Sequence, residues 1–170
     1  IAIAPTKNMD RLEWMVEKAT EMGVDEITPL LCQHSERKKL NEERLRKIMV
    51  AAAKQSLKAT FPKLNPLTAF ADFVGSAQAD DRLIAHCMTQ EETDGLSVQA
   101  AYQPTSQKNA IWQLIHRANS VIVMIGPEGD FSPEEIELAL QNKFVPCSLG
   151  KARLRTETAG LFACNTAILL

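Results

Sequence analysis

The chain has 170 residues, 45% of them hydrophobic and 24% charged, with a formal net charge of -2. That length suits one globular domain with a sizeable core. No run approaches the ~20 apolar residues of a membrane span, and the start IAIAPTKN turns polar too soon for a secretory signal. Cys32, Cys87, Cys147 and Cys164, like His34, His86 and His116, are too dispersed for a disulfide framework or a zinc cluster. The expectation is a cytoplasmic protein with reduced thiols, no metal and no membrane contact.

Residues 8–22 predict an amphipathic helix, because Leu12, Met15, Val16, Ala19 and Met22 recur at helical spacing. Asn8 suits its N-cap and Gly23 its stop. EITPLL, residues 26–31, predicts a short strand. A second helix is predicted from Asn41 to about Ala59, ended by Phe61-Pro62. Residues 64–70 suit a strand and 71–77 a short helix, and LIAHC, 83–87, a buried strand. The polar stretch 88–106 reads as loop, and 111–118 as helix. VIVMIG, 121–126, is continuous and β-branched, which marks a buried strand. Residues 132–142 predict a helix with Ser132 at the N-cap, Pro133 at N1 and Glu135 at N3. A further strand is predicted at 144–149, and a final apolar helix from Thr156 to Leu170. Alternating strands and helices imply an α/β fold: a mostly parallel sheet with helices on both faces, with no domain boundary in 1–170.

The small net charge conceals an asymmetry. Between Glu36 and Lys63 nine basic residues face only three acids, an excess of six. A basic patch on an acidic chain is a footprint for a polyanion, and equally a solvated helix face.

Two loops carry candidate chemistry. GPEGDFS, 126–132, leaves a strand and enters a helix, where open α/β sheets bind ligands. Gly126 and Gly129 admit an approach that a Cβ would block, although an ordinary tight turn uses the same residues. No GK[ST] follows, so a nucleoside triphosphate is poorly supported. LGKARLRTETAG, 149–160, makes the same passage and crowds Arg153, Arg155 and Glu157 together. Thr156 is the expected N-cap, and Glu157 suits the positive end of the helix. The arginines gain nothing there, so a ligand or an RNA phosphate is the expected partner of one of them.

GPEG-x-F-S-x-x-E-I, followed by LG-x-x-x-LRTETA, resembles the 16S rRNA uridine-N3 methyltransferase family of the SPOUT superfamily. KATEMGVDEITPL, 18–30, and AAAKQSLKATFP, 51–62, are similar to two further family segments. The likeness runs from about Lys7 to the end. It implies a C-terminal trefoil knot and S-adenosyl-L-methionine bound between three loops. On this chain those loops carry His86; Ile125, Gly126, Pro127, Glu128 and Gly129; and Leu149, Gly150, Arg153, Leu154 and Thr156. The resemblance also implies a homodimer through the knot, and 16S rRNA of the small ribosomal subunit as partner. Members usually carry an N-terminal PUA-like RNA-binding barrel that has no counterpart in this chain. Three residues depart from the family pattern: Asp130 stands for a second Gly, Arg153 for an aliphatic residue, and Lys58 where Arg is common.

The task such a protein faces is chiefly positioning a methyl group beside uridine N3, whose proton must leave. Arg155 is the candidate for stabilising negative charge on the uracil or fixing a phosphate, and Glu128 or Glu157 for taking the proton. Arg37, Lys38, Arg44, Arg46, Lys47, Gln55 and Lys58 are the candidate RNA contacts. The alternatives are a related knotted enzyme acting on tRNA or a 2′-hydroxyl, and a non-catalytic RNA-binding or assembly module.

Overall fold

The computed structural model describes residues 1–87, 108–116 and 120–170. Its centre is a strand that no periodicity announces. β1 (Ala2–Ile3) pairs in parallel with β2 (Glu26–Leu31) on one side and β6 (Val121–Ile125) on the other. Two residues are too short to show a period of two, but both are almost wholly buried. β3 (Lys63–Leu64) and β4 (Thr68–Ala69) pair with successive halves of β2, so the expected 64–70 strand is two short pieces. β5 (Asp81–Ala85) lies between β6 and β7 (Val145–Cys147). The order is β3-β2-β1-β6-β5-β7, with every pairing parallel.

Successive strand residues face opposite sides, and each side has its own core. Ile3, Ile27, Leu83, Val123 and Ile125 pack under α1 (Met9–Met22), α2 (Glu42–Gln55), α4 (Ile111–Leu114) and α6 (Thr156–Leu169). Ala2, Leu30, Ile84 and Met124 pack under α3 (Phe70–Ser76) and α5 (Pro133–Gln141). Each large apolar side chain so buried contributes roughly 1.5–3 kcal/mol. α6 lies close against the sheet at Gly160, where a Cβ would stand 2.7 Å from Ile3 Cδ1.

Local chemistry sets the helix ends. Asn8 accepts from the Asp10 amide, and Gly23 takes the left-handed φ of 103° that closes α1. α2 stops at Gln55, short of the expected Ala59. Ser56 Oγ bonds back to the Ala52 carbonyl at 2.8 Å, Leu57 adopts φ 53°, and the Lys58 amide returns to Ala53 O. α4 likewise ends at Leu114 rather than 118, because the His116 amide and Nδ1 are drawn to the Asp81 carboxylate, at 2.7 and 2.9 Å. The expected loop at 88–106 lies outside the described residues. Among the described residues no helix is long and apolar enough to cross a membrane.

Candidate active site

Three loops meet where β5, β6 and β7 end. The loop after β6 is the best anchored. Its turn closes with the Asp130 amide on Pro127 O at 2.9 Å. Asp130 takes φ 63°, a conformation that Asp tolerates better than most residues. Its carboxylate then accepts from the Phe131 amide at 2.9 Å and from the Cys87 amide at 2.6 Å. The residue that departs from the family's Gly therefore ties this loop to the end of β5. A Cβ on Gly126 would sit 3.1 Å from the Phe131 ring, and one on Gly129 would sit 3.1 Å from His34 Cβ. His34 Nδ1 lies 3.1 Å from both the Gly129 and Asp130 carbonyl oxygens. Two acceptors there require Nδ1 to carry the proton and donate it.

Neighbouring elements hold the same loop from outside. Glu128 Oε1 accepts the Lys7 amide at 2.9 Å, so this carboxylate binds a backbone group of the β1–α1 connection. Ser132 Oγ accepts the Glu135 amide at 3.2 Å, and Glu135 Oε2 accepts the Ser132 amide at 2.9 Å. This is the capping box expected from the sequence. Glu135 Oε1 also accepts the Gln33 amide at 2.8 Å, which joins α5 to the end of β2.

The loop after β7 is more open. Gly150 takes φ 118°, and its amide donates to Ser148 Oγ at 3.2 Å. Leu149 and Leu154 pack partly on the core. Lys151, Arg153 and Arg155 are exposed. The N-cap of α6 is Arg155, not the expected Thr156, and Arg155 makes no side-chain capping bond. Thr156 instead begins the helix. Its hydroxyl is turned inward and donates to Gly126 O at 3.2 Å, a buried bond between the two glycine loops. Glu157 is also buried, with Arg11 Nε 3.9 Å from Oε1.

His86 stands just past β5, between these two loops. Its side chain is buried, and burial, helped by the Lys108 charge, pushes its pKa down to about 3. Lys108 Nζ lies 3.1 Å from Nδ1 and donates to His86 O at 2.7 Å. Nε2 is buried, with no hydrogen-bond partner among the described residues. At the adjoining end of β7, burial pushes the Cys147 thiol up to about 12, against the nearby Lys108 charge.

The candidate RNA contacts fall into two places. Arg37 Nη2 donates to Lys7 O at 2.7 Å, which sets Arg37 and the exposed Lys38 beside the Glu128 loop. Arg44 makes a two-pronged pair with Glu13, one arm at 2.7 Å, while Arg46 and Lys47 pair along α2 with Glu42 and Glu43 at 3.6 and 2.7 Å. Gln55 and Lys58 sit at the other end of the sheet, where Lys58 Nζ lies beside Gly23 ahead of β2. A six-residue strand separates them from the glycine loops by roughly 20 Å.

Sequence reasoning missed Lys7, His34, Lys108 and the bridging role of Thr156. His34 was accessible in principle, since it follows a predicted strand at the ligand-binding end of the sheet. Lys108 borders a patternless polar stretch and gave no signal.

A family model described as an RNA methyltransferase domain matches residues 1–168. The ribosomal RNA small subunit methyltransferase E of Bacillus subtilis is 29% identical over 160 residues, covering 91% of this chain and 59% of its own length. Its Synechocystis namesake is 30% identical, covering 94% of this chain and 49% of its own length. Among solved structures, a probable rRNA-methyltransferase from Porphyromonas gingivalis superposes with TM-score 0.81 and 44% identity over 96% of this chain and 63% of that one. A Legionella pneumophila protein described as a methyltransferase, with the cofactor SAM bound, gives TM-score 0.74 and 30% identity over 98% of this chain and 63% of that one. The chain thus spans about half to two-thirds of the length of these relatives.

Proposed function

Because the chain belongs to the RNA methyltransferase domain family, we propose that it is the catalytic domain of an S-adenosylmethionine-dependent enzyme that methylates N3 of a uridine in 16S rRNA. The names of its relatives support the ribosomal substrate, and the SAM-bound neighbour supports the cofactor. The observation that carries the reading is the junction of the three loops. Thr156 bonds the two glycine loops together, and Asp130 bonds the first of them to the end of β5.

The residues present fit the cofactor. His86 Nε2 is a buried polar atom lacking a hydrogen-bond partner among the described residues, and a Cβ on Gly150 would meet no described atom within 4 Å, so the backbone there can be approached closely. Gly126, Pro127, Glu128 and Gly129 would line one side, Leu149, Gly150 and Leu154 the other, with His86 between. When bound, S-adenosylmethionine supplies an electrophilic methyl on a cationic sulfonium. The protein's share is to hold the base in line with it and to accommodate loss of the N3 proton. Arg155 is exposed and has no side-chain bond or ion pair among the described residues. It is free to stabilise charge on the uracil oxygens or to grip a phosphate. Glu128 has one carboxylate oxygen committed to the Lys7 amide, whereas Glu157 is buried beside Arg155 with only a distant arginine. Glu157 is therefore the better placed to accept the proton.

The strand order β6-β5-β7, followed by the return of α6 onto β1, suits a C-terminal trefoil knot. α6 leaves Phe162, Ile168 and Leu169 exposed, which supports a homodimer through this region. Arg37 and Lys38, beside the Glu128 loop, suit RNA phosphates near the reacting base. A cytoplasmic location, with the ribosomal subunit as partner, follows from this reading.

Calorimetric titration with S-adenosylmethionine tests it. Saturable binding by the wild-type chain, weakened at least tenfold in Gly129→Val, is the expected result, followed by transfer of a methyl group to uridine N3 in 16S rRNA. Absence of binding by the wild-type chain would overturn the assignment, and a methyl found on tRNA or a 2′-oxygen would redirect it.

A further inference from the structure

The pairing of His86 with Lys108 has a chemical consequence. A lysine ammonium has only donors, so the 3.1 Å contact between Lys108 Nζ and His86 Nδ1 makes Nδ1 the acceptor. Lys108 is itself fixed, because it donates to the His86 carbonyl at 2.7 Å. A neutral imidazole that accepts at Nδ1 carries its proton on Nε2. Nε2 is the atom that is buried with no partner among the described residues. A buried, unmade N–H donor costs about 1–3 kcal/mol, so a folded protein keeps one where something else completes it. His86 projects from the end of β5, the strand flanked by β6 and β7, whose following loops hold the glycines. Its depressed pKa agrees with an imidazole that stays uncharged through the physiological range.

We infer that Lys108 locks His86 in the Nε2–H tautomer, and that this N–H donates to an acceptor atom of the bound cofactor. The inference rests on the S-adenosylmethionine reading above and adds a role that the loop motifs do not carry. His86 is the binding residue, and Lys108 is a positioning residue that acts on the ligand through it. The pair also makes the site selective for acceptors. A ligand offering a donor to Nε2 would meet N–H against N–H, with no second tautomer available while Lys108 remains in place.

The test uses S-adenosylhomocysteine, a non-reacting probe, with the chain labelled with 15N at histidine. In the free protein the His86 ring should show a protonated Nε2 and a bare Nδ1 at neutral pH, and the Nε2 resonance should move on saturation. Lys108→Met should allow the Nδ1–H tautomer to appear and weaken binding severalfold. His86→Phe should weaken binding about tenfold, equivalent to ~1.4 kcal/mol, while His86→Gln, whose amide can donate from a similar place, should recover most of it. A protonated Nδ1 in the wild-type chain, or an Nε2 signal indifferent to the probe, would overturn the inference without any variant having to fold. So would equal affinity in a folded His86→Phe protein. If the wild-type chain binds no probe at all, the cofactor assignment itself fails, which is a separate outcome.

Discussion

The two glycine loops leave the same sheet in the same direction, yet they are held very differently. The loop after β6 is tied to four other parts of the molecule: Lys7, His34, Cys87 and Thr156 all bond to it. The loop after β7 shares the Thr156 bond and pairs through the Ser148 backbone with Asn109 and Ile111, but beyond that it has only local Ser148–Gly150 bonds before it exposes Lys151, Arg153 and Arg155. A site that must bind a small cofactor and a large nucleic acid has use for both kinds of wall. A preorganised wall loses little entropy when a small ligand binds, whereas long exposed cations can follow a substrate whose shape the protein does not control. On the proposed reading, the contrast separates the cofactor side from the RNA side.

Substitutions can break that separation or sharpen it. The largest effect is expected at Arg155. Its replacement by Ala should leave the melting temperature unchanged while lowering methyl transfer by ~10²-fold or more, as loss of a charge-stabilising group does. Equal turnover would place the working cation elsewhere, with Arg153 the next to try. Asp130→Ala attacks the anchored loop instead. It removes two carboxylate hydrogen bonds and puts a less tolerant residue at φ 63°. It should destabilise the fold by about 2–3 kcal/mol, measured by denaturant unfolding, and weaken the cofactor in parallel.

Acid should act on the same side. Unfolded, His86 titrates near 6.5, while folded it is held down to about 3. Between those values the unfolded chain binds the extra proton. The stability His86 contributes is therefore fully present above about 6.5 and lost as pH falls toward 3. Denaturation midpoints across this range should flatten in His86→Gln; an unchanged pH dependence would mean that another group carries it. The smallest effect is expected for Thr156→Val, which keeps the shape but deletes the bond to Gly126 O. A loss of ~1 kcal/mol in a thermal melt, with cofactor affinity lowered a few-fold in calorimetry, is the expected outcome.

Much of this was legible in the sequence, and the parts that were not share a cause. Helices with chemical punctuation stand where their residues put them: Asn8 and Gly23 bound α1, and Ser132, Pro133 and Glu135 open α5. The two loops were visible as motifs between elements. What stayed hidden depends on contacts between distant residues. β1 is central only because residues far along the chain flank it. Asp130 reads as a blemish in a glycine motif until the Cys87 amide appears opposite its carboxylate. Thr156 reads as a cap until Gly126 O is found within reach of its hydroxyl. Local pattern reports local partners, and each of these residues is engaged with a neighbour brought to it by the fold.

β1 has one more consequence, for the order in which the molecule is made. Ala2 pairs with Met124, and Ile3 lies beneath Gly160 of the last helix. During synthesis the first strand therefore emerges long before the two elements that complete its surroundings. Until then β1 presents an uncovered edge, the kind of template on which stray strands pair, and closing such distant contacts is intrinsically slow. A nascent chain stalled before Val121 would lack the middle of its own sheet. The surroundings of β1 can therefore be completed only once the chain has been made through Gly160.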